Sequence, residues 1–321
     1  MISKAISATQ IDRAAAVLRA GELVAFPTET VYGLGADASN PAAVRKIFQR
    51  KGRPSSHPVI VHLPDVTQLS RWAVDVPSSA QQLAEAFWPG PLTLVLKRAA
   101  DVSDVITGGQ ETVAVRVPRH PVAQQLLHAF GGGIAAPSAN RFGHVSPTRA
   151  QHVRDEFGDT LLILDGDDCD IGLESTIVSC VGDAPRLLRP GGITLSQLRC
   201  IVPEVTDVMA NDVPRAPGML EKHYSPGTPM DIVDAAVLPQ RVNDCVRHRQ
   251  KVAVLAMHAG QSSDAVVWIN AGTDAVAYGH ALYANLRALD KAGADLMLVE
   301  QVPGDEQWQA VRDRLQRAAA K

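Results

Sequence analysis

"NPAAVRKIFQRKGRPSSHPVIVH", residues 40–62, decides how the rest of the chain is read. It opens as a helix. Asn40 is placed to cap it, Pro41 takes its first position, Val44, Ile47 and Phe48 make one apolar stripe, and Gly52 ends it. It closes as a short apolar strand over 58–63. Between the two, Arg50, Lys51 and Arg53 crowd a bend of glycine and proline. Three cations leading into a buried strand point to an anion held at that bend.

The same alternation extends in both directions. A helix is expected over 9–20, with Thr9 as cap and Gly21 as stop, followed by a strand at 23–28. Further strands are expected at 92–97, 112–117, 134–137, 161–165, 175–181 and 186–189, with helices around 79–87, 121–130 and 147–157. Helices and strands interleave, yet some strands follow one another directly, which implies a mixed α/β sheet. Residues 203–229 hold five prolines and two glycines without periodicity and read as a linker. Beyond them, strands at 231–233, 252–257, 265–269 and 295–299 alternate with helices at 238–248, 274–291 and 305–319, the pattern of a small doubly wound domain. The expected organisation is a catalytic domain over 1–202, a linker or lid over 203–229 and a second α/β domain over 230–321.

Composition narrows the function. With 46% hydrophobic and 20% charged residues, the 321-residue chain is of globular type. A formal charge of -3 opposes broad electrostatic capture of nucleic acid, and 4% aromatics leave little for base-stacking platforms. Cys169, Cys180, Cys200 and Cys245 form no CxxC pair, so they read as isolated buried thiols of a reducing compartment. "MISKAISATQ" has no apolar signal region and no run reaches membrane-spanning length, so a cytoplasmic protein with no membrane partner is expected. The P-loop, GxGxxG, HExxH and GxSxG patterns are missing. "GGG" at 131–133 reads as a helix cap and turn.

What remains is polar residues lodged at strand ends, where α/β sheets place their ligands. "FPTETVYGLG" (26–35) ends a strand in Thr28, Glu29 and Thr30 and continues as a glycine-punctuated turn. "TVAVRVP" (112–118) turns Val113, Val115 and Val117 to one side and Thr112, Ala114 and Arg116 to the other. An arginine there demands an anion, supplied by a ligand or by a salt bridge. "IAAPSANRFGHVSPT" (134–148) runs through Ala136 into Ser138 and Asn140, and Ser146 then precedes Pro147 at an expected helix start, suited to a phosphate or to ordinary capping. "GLESTIVSC" (172–180) brings Ser175 and Thr176 into a strand, and "LLRPGG" (187–192) ends one in Arg189. Together Lys51, Arg53, Arg116 and Arg189, with hydroxyls from four segments, imply a concave, positively lined pocket for a polyanionic small molecule.

In this order the segments closely resemble the YrdC-domain family, and more narrowly its two-domain Sua-type L-threonylcarbamoyladenylate synthases. The matching stretches are "FPTETVYGLGADA", "KGRP…PVIVH", "FWPGPLTLVL", "TVAVRVPRHP", "APSAN…G…SPT", "GLESTIV" and "LLRPGG", with "PGMLEKHYSP" and the C-terminal domain extending the likeness over nearly the whole chain. The resemblance implies an N-terminal YrdC-like mixed twisted sheet with helices, plus a small C-terminal Rossmann-like α/β domain. It implies a nucleotidyltransferase that makes threonylcarbamoyl-AMP and pyrophosphate from L-threonine, bicarbonate and ATP. Mg²⁺ would accompany ATP, with no metal site of the protein's own. The product would go to the downstream tRNA threonylcarbamoyl transferase machinery, which modifies an adenosine beside the anticodon; the resemblance leaves open whether this chain touches tRNA.

The family's roles carry over residue by residue. Lys51 and Arg53 would hold ATP phosphates and neutralise charge at the α-phosphate. Thr30, His62, Arg116, Ala136 and Ser175 would line the threonine end, with Arg116 taking the carboxylate. Arg53, His57, Thr112, Ser138, Asn140, Ser146 and Arg189 would serve ATP, and His223 and Tyr224 would close over the nucleotide. The family usually has asparagine where His57 stands, and an acidic residue is common where Ser179 stands. Two alternatives remain at this point: another carbamoyl transferase of the same fold, or an RNA-binding module using the positive pocket.

Overall fold

The computed structural model, which describes residues 6–207, 214–218 and 222–320, divides the chain into two compact units. The first is Met1–Phe142, Pro147–Asp170 and Glu174–Met219; the second is Gly143–Ser146, Ile171–Leu173 and Leu220–Lys321. Residues 1–5 and parts of the expected linker, 208–213 and 219–221, lie outside the described residues. No described helix is long and apolar enough to cross a membrane.

In the first unit the strands are β1 (Val24–Phe26), β2 (Gly33–Asp37), β3 (Ile60–His62), β4 (Leu92–Lys97), β5 (Thr112–Arg116), β6 (Ile134–Ala135), β7 (Leu162–Ile163), β8 (Thr176–Ser179), β9 (Arg186–Arg189) and β10 (Thr206–Asp207). They form one sheet in the order β10-β9-β8-β4-β5-β3-β6-β2-β1-β7. The β3–β5, β4–β8, β9–β10 and β1–β7 pairs are parallel and the others antiparallel, the mixed sheet expected. The helices are α1 (Ala8–Arg19), α2 (Pro41–Lys51), α3 (Ser78–Phe87), α4 (Asp104–Thr107), α5 (Pro121–Phe130), α6 (Ala150–Phe157) and α7 (Leu195–Ile201).

Helix α2 forms as its punctuation dictates. The Asn40 side chain accepts from Ala42 N and Ala43 N, and Gly52 caps the far end in the left-handed conformation at φ 65°. Gly131 caps α5 in the same way, at φ 79°. Other boundaries differ from expectation. Helix α1 is capped by Ser7, not Thr9, because Ser7 and Gln10 form a reciprocal capping box. Residues 33–37, expected as a turn, are strand β2. Gly35 is needed there for space: a Cβ would come 2.8 Å from Phe26 Cε1 and 2.9 Å from Ile134 Cγ2. Helix α6 begins at Ala150, so Ser146 is not at a helix start. Helices α4 and α7 and the short β10 had no expectation.

The two faces of the sheet separate as the period-2 pattern requires. Val113, Val115 and Val117 join Val61, Leu92, Leu94, Leu96 and Val178 in the main core. Ile60, Val95, Ala114, Ile177 and Leu188 gather with Ala216 in a second, smaller cluster. Ala216 comes from the expected linker, so 214–218 belongs with the first unit.

In the second unit, β11 (Met230–Val233), β12 (Val252–Ala256), β13 (Val266–Asn270) and β14 (Leu296–Glu300) are all parallel, in the order β11-β14-β12-β13. Helices α8 (Leu238–Arg247), α9 (Ala275–Asp290) and α10 (Gln309–Ala319) complete it. This is the doubly wound arrangement expected.

Candidate active site

Parallel pairing of β3 with β5 sets His62 directly opposite Arg116. Arg116 is 3% exposed, and its guanidinium works in three directions. Nε donates to Gly90 O at 3.1 Å, Nη1 donates to Thr30 Oγ1 at 2.8 Å, and Nη2 lies 2.7 Å from Glu29 Oε1. The last is a charge contact without an aligned N–H, so neither Nη2 nor the Glu29 oxygens have a hydrogen-bond partner among the described residues. β5 lies between β4 and β3, so the counter-charge is a central buried pair and not an edge-strand bridge.

Thr28 Oγ1 donates to Val31 O at 2.7 Å and therefore accepts from Thr30 Oγ1, 2.8 Å away. A hydroxyl relay thus runs from Arg116 through Thr30 to the β1–β2 loop. Burial opposes ionisation of Glu29, but the Arg116 charge outweighs it and holds the carboxyl below the usual range. His62 is pushed the other way: burial, then the Arg116 charge, lowers it to about 3, so it is neutral at physiological pH. Its Nδ1 has no hydrogen-bond partner among the described residues.

The cationic bend forms a second group. Lys51, 4% exposed, closes α2 and donates Nζ to the carbonyl oxygens of Ser138 and Asn140. Phe142 N donates back to Lys51 O at 2.8 Å, tying the loop after β6 to the end of α2. Burial, then the neighbouring Arg53, pushes the Lys51 ammonium well below its ordinary pKa. Arg53 donates Nη2 to Pro58 O at 2.7 Å and lies 5.9 Å from the Phe48 ring. His57 packs edge-on against Phe142, and burial, Arg53 and Arg215 lower its pKa. Ala136 is buried, with its N–H on Ile60 O at 2.9 Å, and Thr112 opens β5 on the Arg116 side.

A third group lies on β8 and β9. Arg189 donates Nε and Nη2 to Ser175 O at 3.1 and 2.9 Å, and Nη2 also to Ser175 Oγ at 3.1 Å. Ser175 Oγ is 2.7 Å from Thr93 Oγ1. Arg189 Nη1 donates to Pro217 O at 2.9 Å, beside the Ala216 that covers the small apolar cluster. Gln110 completes this strap: its side chain donates to Arg215 O at 3.0 Å and accepts from Arg215 N at 2.7 Å.

Ser146, His223 and Tyr224 belong to the second unit. Tyr224, at φ 63°, is 1% exposed, with its ring 5.7 Å from Tyr283 and the Arg314 guanidinium 5.3 Å away. His223 meets it edge-on at 4.0 Å. The structure thus brings Thr30, His62 and Arg116 together, Lys51 with Ser138 and Asn140, and Ser175 with Arg189. Glu29, Thr93 and Gln110 were not among the expected site residues. Glu29 had a signal: a lone carboxylate in "FPTETVY", amid apolar residues, needs a buried counter-charge. The expected buried cysteines include one exposed thiol, Cys200.

Residues 16–191 match the family model described as telomere recombination, and residues 193–320 match that of the threonylcarbamoyl-AMP synthase C-terminal domain. A threonylcarbamoyl-AMP synthase of Bacillus subtilis is 42% identical over 97% of this chain and 93% of its own. Another, of Pyrococcus abyssi, is 38% identical over 99% and 96%. The crystal structure of P. abyssi Sua5 complexed with L-threonine superposes at a TM-score of 0.92 with 38% identity, covering 98% of this chain and 96% of that one. The chain belongs to the threonylcarbamoyl-AMP synthase family, in its two-domain form.

Proposed function

We propose that the chain joins L-threonine, bicarbonate and ATP into threonylcarbamoyl-AMP and pyrophosphate by nucleotidyl transfer. The product then serves a tRNA-acting transferase. The observation that carries the reading is the buried pair at the ends of β3 and β5. Among the described residues, Arg116 keeps an Nη2 donor without an aligned acceptor, and neutral His62 keeps Nδ1 without a hydrogen-bond partner. An amino-acid carboxylate supplies the acceptor, and a substrate hydroxyl or N–H meets the imidazole. Because Glu29 already balances Arg116, the carboxylate is held by aligned hydrogen bonds more than by net charge.

Threonine nitrogen bonds to the carbon of bicarbonate with loss of water, giving a carbamate; its oxygen is already ionised, so its attack on phosphorus requires no general base. Its bond to the α-phosphorus forms as the bond to the bridging oxygen breaks, and pyrophosphate departs with the electron pair. Lys51 and Arg53 neutralise charge on the phosphates, with His57, Thr112, Ser138, Asn140, Ser146 and Arg189 positioning the nucleotide. Arg53 is permanently charged. Among the described residues no group of three or more His, Cys, Asp or Glu could hold a metal. Mg²⁺ would come with the ATP substrate and supply positive charge to its phosphates.

Threonylcarbamoyl-AMP is a mixed anhydride that water destroys. The strap from Arg215 to Pro217 covers the sheet face against water. The test is pyrophosphate release with single omissions. Release that needs ATP, L-threonine and bicarbonate together supports the reading. Release that persists without threonine or without bicarbonate overturns it.

A further inference from the structure

Two short pieces of the N-terminal half, Gly143–Ser146 and Ile171–Leu173, belong to the second unit. Helix α9 meets both. Arg287, in its last turn, donates Nη2 to Val145 O and Nε to Ser146 O at 3.5 Å. Gly143 O accepts from Ser225 N at 2.8 Å, and His144 bridges Ser225 in parallel. The other piece lies against the middle of α9. A Cβ on Gly172, which has φ +75°, would fall 2.3 Å from His280 O, and one on Gly279 would fall 3.2 Å from Leu173 Cδ1.

Fixing a long arginine side chain costs rotamer entropy. Here the fixed guanidinium reaches two successive carbonyls, which sets the plane of the peptide between them. The residue so placed is Ser146, which is fully buried. Nothing in the sequence of α9, with Arg287 among apolar and small residues, marks this arginine as different from a solvated one.

We propose that Arg287 is a positioning residue for the reaction, setting the backbone that carries Ser146 and through it the grip on ATP. The inference rests on the reading of Ser146 as an ATP residue.

The test uses the full chain with Arg287→Met, Arg287→Lys and Ser146→Ala. Methionine keeps the aliphatic packing and removes both donors. Arg287→Met is expected to raise KM for ATP about tenfold or more, since small misplacements of a binding group have effects of this size or larger. KM for threonine and the thermal midpoint stay near their original values, and Arg287→Lys, with a single nitrogen in place of the planar fork, falls between. An unchanged KM for ATP in Arg287→Met, or a parallel rise for both substrates with a lower midpoint, overturns the proposal. If Arg287→Met behaves as expected while Ser146→Ala binds ATP normally, the role of Ser146 falls. Arg287 then acts through the segment's backbone alone.

Discussion

Arg116 Nη2 lies 2.7 Å from Glu29 Oε1, and neither side chain reaches solvent. Removing one partner of such a pair commonly costs about 3–5 kcal/mol, because the other charge is left buried alone. Glu29→Gln is therefore expected to lower the thermal midpoint. Threonine should then raise the midpoint more in the variant than in the original chain, since its carboxylate supplies the missing counter-charge. Equal threonine-induced shifts in thermal denaturation would separate Glu29 from the amino-acid end.

Arg53→Ala is expected to lower kcat/KM by on the order of 10²-fold or more, the usual scale for a lost transition-state charge contact. Its neutral-acceptor hydrogen bond to Pro58 O is of a kind worth about 1 kcal/mol, so a small stability change is expected. Steady-state kinetics beside a melting curve checks this. A normal rate with a collapsed midpoint would make Arg53 a structural residue.

Burial, then Arg53, lowers the Lys51 ammonium well below its ordinary pKa in the free protein. A phosphate beside it favours the ammonium, so ATP binding should weaken as pH rises through the lowered range and take up a proton there. Calorimetric titration in buffers of different ionisation enthalpy measures that uptake. Lys51→Met should abolish it, and undiminished uptake in that variant would place the proton elsewhere.

His62 gives a stability signature of known sign. An unfolded imidazole gains its proton near pH 6.5, whereas the folded one waits until about 3. Between these values the unfolded chain binds the extra proton, so stability falls as pH drops from about 6.5 towards 3 and is full above it. The slope approaches about 1.4 kcal/mol per pH unit for one such group. His57 and His120 are lowered too and act in the same direction. His62→Gln should flatten urea-unfolding stability against pH by one proton's worth; an unchanged slope contradicts the assignment.

Gln110 clasps the backbone of Arg215 by both of its amide atoms. Gln110→Ala should speed trypsin cleavage after Arg215, and ATP with threonine should slow cleavage in the original chain. If removing the clasp leaves the cleavage rate as it was, the strap is held by Ala216 and Pro217 alone.

Much of this was legible before any coordinates. Local rules carried the parts that local chemistry controls: Asn40 and Gly52 around α2, the valine alternation of β5, the parallel C-terminal sheet. Strand β2 was hidden because its glycines look like turn residues, and only Phe26 and Ile134, distant in sequence, show why they are small. Arg116 announced that it needed an anion, but whether Glu29 or a ligand met it depended on contacts 87 positions apart, which no short pattern encodes. The Arg287 contact is invisible for the same reason: an arginine on a helix looks solvated until its partner segment is known.

The stitched order of the chain also has a history during synthesis. Arg287 follows Val145 by 142 positions. At roughly 5–20 residues per second, the ribosome delivers it on the order of ten seconds after the segment it holds. Throughout that interval the strands of the first sheet can already pair, while Gly143–Ser146 has no helix α9 to receive it. A nascent chain is thus half assembled. Completion of this contact is timed by the last third of the message, so chains cut short there would carry a paired sheet and a Gly143–Ser146 segment without its helix.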